Sequence, residues 1–525
     1  MATLISHGSI VDGTGRAPYQ ADVLIERDVI AKIAPDIPAQ GVQRVIDARG
    51  MTVTPGLIDA HTHAEISLMQ NRQSPAAVYQ GIATVVTGQC GLGFAPMAPG
   101  AMDESLRMNS GIFGMLPDYC KRWSRFDEYL SLLEGCAVNV GANVSHNAIR
   151  QFSCGFDHVP LTGARLDRSL GALDEALSAG AVGFSVGLSY YPGGYSDTEE
   201  LIQLCRVVKK HDAVFCVHMR LDVDHPDFRP MEEIARVIEA TGVRTNMLHH
   251  RTGGMEDYNT CMAPFEKVIA KGAEVTFEFY PYMVGSGLLL AVVPDWAQEG
   301  GATAIMERLT SPAQKSRLMK DLKHRFSFFF GPGTTGRIYW TKDPYSDARG
   351  RTLREVAELR GVSDEEAAVQ LLVENDLEVG FNGVEYQSEE LKAKLYDDQY
   401  HLFLNPRYTV GSDSIPTGGL SHCRTSGAFA RIIRQMRDRG VPAETIIRKL
   451  SGRPAEIYGL RDRGTLTVGK KADVCVMDFG RVTDGADESF TRRKPEGIRT
   501  LLVNGLPVML DGTITGELSG RALRR

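Results

Sequence analysis

Apolar positions along this chain follow two different rhythms. At both ends they come in short runs interrupted by tight turns. Thr3-Leu4-Ile5, Asp22-Val23-Leu24-Ile25 and Val29-Ile30-Ala31-Lys32-Ile33 are separated by Asp12-Gly13 and Glu26-Arg27-Asp28. The same texture returns in Ala472-Asp473-Val474-Cys475-Val476-Met477 and in Thr500-Leu501-Leu502-Val503-Asn504-Gly505. Short strands with turn residues between them predict a small β-sandwich domain built from both termini, residues 1–54 and 456–525. Between the ends the rhythm changes. Eight apolar, mostly β-branched runs lie at 53–63, 83–90, 138–146, 182–188, 213–218, 245–249, 274–282 and 408–413. They alternate with stretches whose apolar residues recur every three or four positions, among them 170–179, 199–210 and 231–241. Such alternation predicts a parallel (β/α)8 TIM barrel of the α/β class over residues 55–455.

The spacing breaks once. Residues 283–407, between the seventh and eighth runs, hold far more than one connecting helix. Stretches 302–309, 314–326, 352–360 and 364–375 read as helices, and Gly331-Pro332-Gly333-Thr334-Thr335-Gly336 as a loop. An insertion at about 284–350, at the barrel mouth, is expected to act as a lid that excludes water and shapes a pocket. Surface decoration or an oligomer contact is the plainer alternative.

Composition narrows the class. A chain of 525 residues is long for one domain and suits a large barrel with an accessory domain. A net charge of −7 with both signs well mixed, and no basic run, argues against a nucleic-acid partner. The segment from Met1 to Asp12 lacks the basic start and long apolar stretch of a signal peptide. No run approaches the roughly 18 apolar residues of a membrane span. Nine cysteines without a CxxC pair read as reduced thiols in a cytoplasmic protein. The expected partner is a small-molecule substrate; self-association is left open.

The candidate chemistry starts at His61-Thr62-His63, which ends the first run. Side chains alternate along a strand, so both imidazoles face one side and can reach one metal ion. A lone HxH pair is more often structural. Here later runs end in Cys90, His218, His249 and Asp413, all residue types that bind or serve a transition metal. Each falls at the carboxyl end of its strand, where barrels of this kind build active sites. The pattern predicts a metal-dependent hydrolase.

Further segments carry a resemblance: Pro55-Gly56-Leu57-Ile58-Asp59-Ala60 before the two histidines, Gly88-Gln89-Cys90-Gly91, Gly187-Leu188-Ser189-Tyr190-Tyr191-Pro192-Gly193, His218-Met219-Arg220, Tyr280-Pro281-Tyr282 with Gly285-Ser286, and Gly411-Ser412-Asp413 with His422-Cys423-Arg424. Together they resemble the N-acyl-D-amino acid deacylase (D-aminoacylase) family of the amidohydrolase superfamily, over nearly the whole chain. The resemblance implies a zinc enzyme in which Cys90, His218 and His249 hold one ion tightly, while His61 and His63 form a second, weaker site. Where much of the superfamily has a bridging lysine on strand four, this chain has Ser185-Val186-Gly187. His249 rather than His250 is implied as the ligand. Asp413 is implied to accept the proton of the attacking water and return it to the amine. Arg424, Arg251, Tyr280 and Ser286 are implied to contact the substrate, the arginines through its carboxylate. Arg251 stands where the family has lysine, Glu65 where it has aspartate, Gly287 where it has threonine and Cys423 where it has proline; these departures bear on the substrate more than the reaction. Hydrolysis of N-acyl-D-amino acids is therefore the expectation. A cyclic amide or N-formyl substrate is the alternative, and a non-catalytic assembly protein would have lost the ligands.

Overall fold

The computed structural model describes residues 2–118, 120, 122–221, 229–250, 255–330, 336–383, 388–417, 422–485 and 493–525, with side chains at all of these except 255–260 and 328. Eight parallel strands form the centre: β1 (Leu57–Asp59), β2 (Ile82–Thr87), β3 (Asn139–Ser145), β4 (Gly183–Gly187), β5 (Val214–His218), β6 (Arg244–Met247), β7 (Val275–Phe279) and β8 (Tyr408–Val410). Neighbours in sequence are neighbours in the sheet from β1 to β8. Main-chain bonds draw β8 back toward β1: Asp413 N–H donates to His61 O at 2.9 Å, and His63 N–H to Ser414 O at 2.8 Å. The result is a nearly closed TIM barrel.

Local chemistry sets the outer helices. Helix Thr198–Lys210 begins where the Asp197 side chain accepts from Glu200 N–H, carries Glu199 and Glu200 in its first turn, and ends on Lys209 and Lys210. Charges so placed oppose the helix dipole at both ends. Its buried face, Leu201, Leu204, Cys205 and Val208, lies on the core that also takes Phe184 and Phe215 from the strands.

The first predicted run divides in two. Thr52–Pro55 pairs antiparallel with Val474–Met477 and belongs to the terminal sheet, whereas Leu57–Asp59 is β1. Pro55-Gly56 is the break, with Gly56 N–H donating to Asp473 O at 2.8 Å. Strands from both termini make one nine-stranded sheet. Within it Ala2–Ile10 changes partner along its length: Thr3–Ser6 pairs with Arg44–Asp47, and Ser9 and Ile10 pair with Thr52 and Val53. A second core of Ile5, Ile10, Val23, Ile30, Val53 and Val474 lies against this sheet. Asn504 and Gly505, with φ of 48° and 80°, turn the hairpin between Ile498–Val503 and Leu506–Leu510, the geometry for which Asn-Gly is suited.

Between β7 and β8 the expected helices are found at Gly301–Thr310, Lys315–Phe329, Leu353–Arg360 and Asp364–Glu374. A three-stranded antiparallel sheet, Ser286–Leu288, Val379–Asn382 and Arg337–Thr341, was not anticipated. Strands of three to five residues are too short to display alternation. Most of the predicted loop 331–336 lies outside the described residues.

Candidate metal centre and active site

Each predicted metal ligand stands at, or within four residues after, the carboxyl end of a barrel strand. Cys90 Sγ lies 3.4 Å from His61 Nε2 and 3.4 Å from His249 Nε2, and His218 Nδ1 lies 2.9 Å from His249 Nε2. Two triads result, His61–His63–Cys90 and Cys90–His218–His249, each with its ligand atoms within 4.8 Å of one another. The cysteine is common to both. Asp413 Oδ1 stands 3.4 Å from His61 Nε2 and 3.3 Å from His63 Nε2.

The chain accepts strain to make this arrangement. Cys90, His249 and Asp413 have φ of 54°, 34° and 51°, in the left-handed region that costs a side-chain-bearing residue about 1 kcal/mol or more. Neighbouring glycines give them room. A Cβ on Gly91 would come within 2.2 Å of Gly187 N, and one on Gly411 within 3.0 Å of the Glu278 carboxyl. Ser185, in strand four, is fully buried and clamps the Cys90 loop: its hydroxyl donates to Gly88 O and accepts from Gly91 N–H at 3.0 Å.

Two residues at the site were given no role in the sequence reading. Glu278, in the middle of β7 and fully buried, binds His61 Nδ1 and so directs Nε2 into the barrel. A carboxylate inside an apolar strand was the available signal. Tyr190 lines the site, its ring centroid 5.0 Å from that of His218. The motif residue Arg220 holds the Tyr190 loop in place. It donates to Gly194 O at 2.7 Å and Ser196 O at 2.8 Å, and is anchored on Glu233. His250 points away, with Nδ1 2.9 Å from Tyr408 Oη and its ring against Phe277. His324 and His401 are exposed, His225 lies outside the described residues, and buried His422 accepts from Arg424 N–H at 3.0 Å.

The donor chemistry suits a soft or borderline cation. Burial pushes the Cys90 thiol up to about 11 and the His218 imidazole down to about 4. A neutral imidazole presents the lone pair that a metal takes, and a thiol in that setting ionises when a cation joins it. Burial opposes the charge on Asp413, yet Arg424, His61 and His63 hold its carboxyl well below the usual range.

Three of the four residues expected to contact substrate come together. The Arg424 guanidinium is fully buried, 2.9 Å from Asp413 Oδ2, 4.7 Å above the Tyr280 ring and 3.5 Å from Ser286 O. Its Nε has no hydrogen-bond partner among the described residues. Arg251 lies outside the described residues. A cavity of about 370 Å³ opens over Cys90, His218, His249 and Asp413, and residues of the insertion form part of its wall.

The amidohydrolase family model matches residues 44–185 and 348–509. The chain is 29% identical to D-aminoacylase of Alcaligenes xylosoxydans xylosoxydans, over 99% of this chain and 97% of that one. It is 30% identical to N-acyl-D-aspartate deacylase of the same organism, over 99% and 94%. It superposes on N-acyl-D-glutamate deacylase of Bordetella bronchiseptica, solved with zinc and a phosphonate mimic of the tetrahedral intermediate, with a TM-score of 0.82 at 27% identity, over 100% of this chain and 99% of that one. With barrel, terminal sheet and relatives in agreement, the chain belongs to the N-acyl-D-amino acid deacylase family of the amidohydrolases.

Proposed function

We propose that this protein is a zinc-dependent hydrolase that cleaves the amide bond of N-acyl-D-amino acids, releasing a carboxylate and a free D-amino acid. The observation that carries this reading is the shared thiol: Cys90 Sγ is 3.4 Å from an imidazole of each triad, with Asp413 beside both His61 and His63. Cys90, His218 and His249 would hold one ion, and His61 and His63 a second, weaker one. When bound, zinc supplies a Lewis acid for the carbonyl and lowers the pKa of water to about 7.

The remaining work falls to side chains of this chain. Asp413, kept ionised by Arg424 and the histidines, accepts a proton at Oδ1 and later delivers it to the departing nitrogen. Glu278 fixes the orientation of His61. Arg424, braced on Tyr280 and near Ser286, binds the substrate carboxylate, with Arg251 as its second cation. The insertion shields the reacting groups from bulk water.

Hydrolysis of N-acetyl amino acids in D and L forms by zinc-loaded protein, read as released amine, tests the reading. Turnover confined to D-isomers is expected. No turnover of either enantiomer by zinc-bearing protein would move the substrate to another amide.

A further inference from the structure

Two of the three relatives are named for different acidic amino acids and the third for none, and identities of 29%, 30% and 27% do not choose among them. The cavity wall does. We infer that the amino-acid side chain this enzyme selects is bulky and apolar, of the leucine or phenylalanine kind, and that Phe329, Phe330 and Phe381, all in the segment between β7 and β8, select it. The inference rests on the deacylase reading above.

The wall is apolar, aromatic and braced. Ile112, Leu288, Phe329, Phe330, Phe381 and Ile415 line the cavity. The Phe330 and Phe381 rings meet edge to face at 5.4 Å, and Phe326 meets Phe330 at 5.3 Å. A Cβ on Gly336 would fall within 2.3 Å of the Phe381 ring, so that ring rests directly on main chain. An acidic side chain entering here would need a cation. Among the described residues that line the cavity there is no lysine or arginine. Arg325, on the same helix as Phe329, donates instead to Ala291 O and Val292 O at 3.0 Å each. The sequence stretches 222–228, 331–335 and 384–387, which adjoin lining residues in the chain, and the stretch 418–421 contain no lysine or arginine either, whereas 251–254 contains Arg251. Arg424 and Arg251 remain, and the α-carboxylate common to every such substrate uses them. A carboxylate buried without a partner is strongly disfavoured, whereas an apolar side chain gains from leaving water.

Strand pairing says which end of the substrate meets this wall. Gly287 is opposite Phe381 in the small sheet, and Ser286 Oγ donates to Phe381 O at 3.3 Å. Ser286 also offers its carbonyl to Arg424. The carbon that bears the carboxylate therefore stands next to the phenylalanines, and its side chain, rather than the acyl group, is directed at them.

The test is a panel of kcat/KM values for zinc-loaded enzyme on the N-acetyl derivatives of D-leucine, D-phenylalanine, D-alanine, D-aspartate and D-glutamate. The leucine and phenylalanine derivatives should exceed both acidic ones by at least about 100-fold. In Phe330→Ala and Phe381→Ala the leucine-to-alanine ratio should fall by about 10-fold. A loss of folded protein does not move this ratio. Acidic substrates turned over as fast as apolar ones, or a ratio unchanged in both variants, would overturn the inference while leaving the deacylase standing. So would variants that alter preference for acyl length but not for the side chain. Failure to hydrolyse any member of the panel would remove the deacylase reading itself.

Discussion

The two ends of the barrel treat buried polar groups in opposite ways. At the amino ends of the strands, Asp473 is fully used: Oδ1 accepts from Asn504 N–H at 2.8 Å, and Oδ2 accepts from Asn139 at 3.0 Å and from Arg463. Asn504 also donates to Asn139 Oδ1 at 2.7 Å, and Lys449 donates to Asn405 O and Tyr408 O at 2.7 Å each. At the carboxyl ends, His63 Nδ1, Glu65 Oε2, Gln89 Oε1, Glu278 Oε2 and Arg424 Nε are buried with no hydrogen-bond partner among the described residues, and three residues are held at positive φ. Burial pushes Glu65 up to about 8. The amino-end network, with Asn504 Oδ1 its one named atom left over among the described residues, holds the terminal sheet to the barrel. A network with bonds to spare is prepared for something that is not protein. The difference separates stability from function by position along the same strands.

The largest expected effect is at the mouth. Asp413→Asn should lose roughly 10²–10⁴-fold in kcat while retaining metal, checked by steady-state kinetics and metal analysis. Near-normal turnover would break the assignment of the proton carrier. Cys90→Ser should bind zinc at least about 100-fold more weakly, seen by titration with a competing chelator, because the shared soft ligand is lost from both triads. At the base, Asp473→Asn should remove the buried charge partner of Arg463, leaving it only the half-exposed Asp462, and lower unfolding free energy by about 3 kcal/mol, measured by denaturant melts. Its kcat/KM per folded molecule should equal that of the parent; a drop like that of Asp413→Asn would erase the distinction drawn here.

A smaller effect sharpens the comparison at an intermediate site. Glu200 joins His146 at 2.7 Å and Arg150, under the loop that carries Tyr190. Burial alone would raise its pKa, but His146 and Arg150 hold the carboxyl below the ordinary value. A depressed native pKa means that the unfolded chain binds the proton more readily. The resulting stability is present above the unfolded carboxylate pKa of about 4.3 and is lost as pH falls through the native value. Glu200→Gln should therefore melt lower at neutral pH, by about 2 kcal/mol, with the gap from the parent closing as the medium is acidified through that window. A gap independent of pH would show that packing, not charge, is at work.

Most of the barrel and its candidate ligands were legible because apolar runs alternate with helical stretches and each ligand falls at, or a few residues past, the carboxyl end of its run, the face on which all the parallel strands finish. His61, His63, Cys90, His218, His249 and Asp413 converge for that reason. Glu278 escaped because its neighbours in Val275–Phe279 are apolar and the strand reads as core. Tyr190 depends on a loop path that no periodicity describes. The division of the first run between two sheets turns on Gly56, where pairing with distant Asp473 outweighs the continuous apolar pattern. In the insertion, helices were visible and strands of three to five residues were not.

The reacting groups ride on barrel strands and the loops just after them, whereas Phe329, Phe330 and Phe381 ride on the segment between β7 and β8. Chemistry and appetite are thus inherited on separable stretches of the gene. On the roles proposed above, substitutions within that one segment would change which substrate is taken while the strands beneath keep the reaction unaltered.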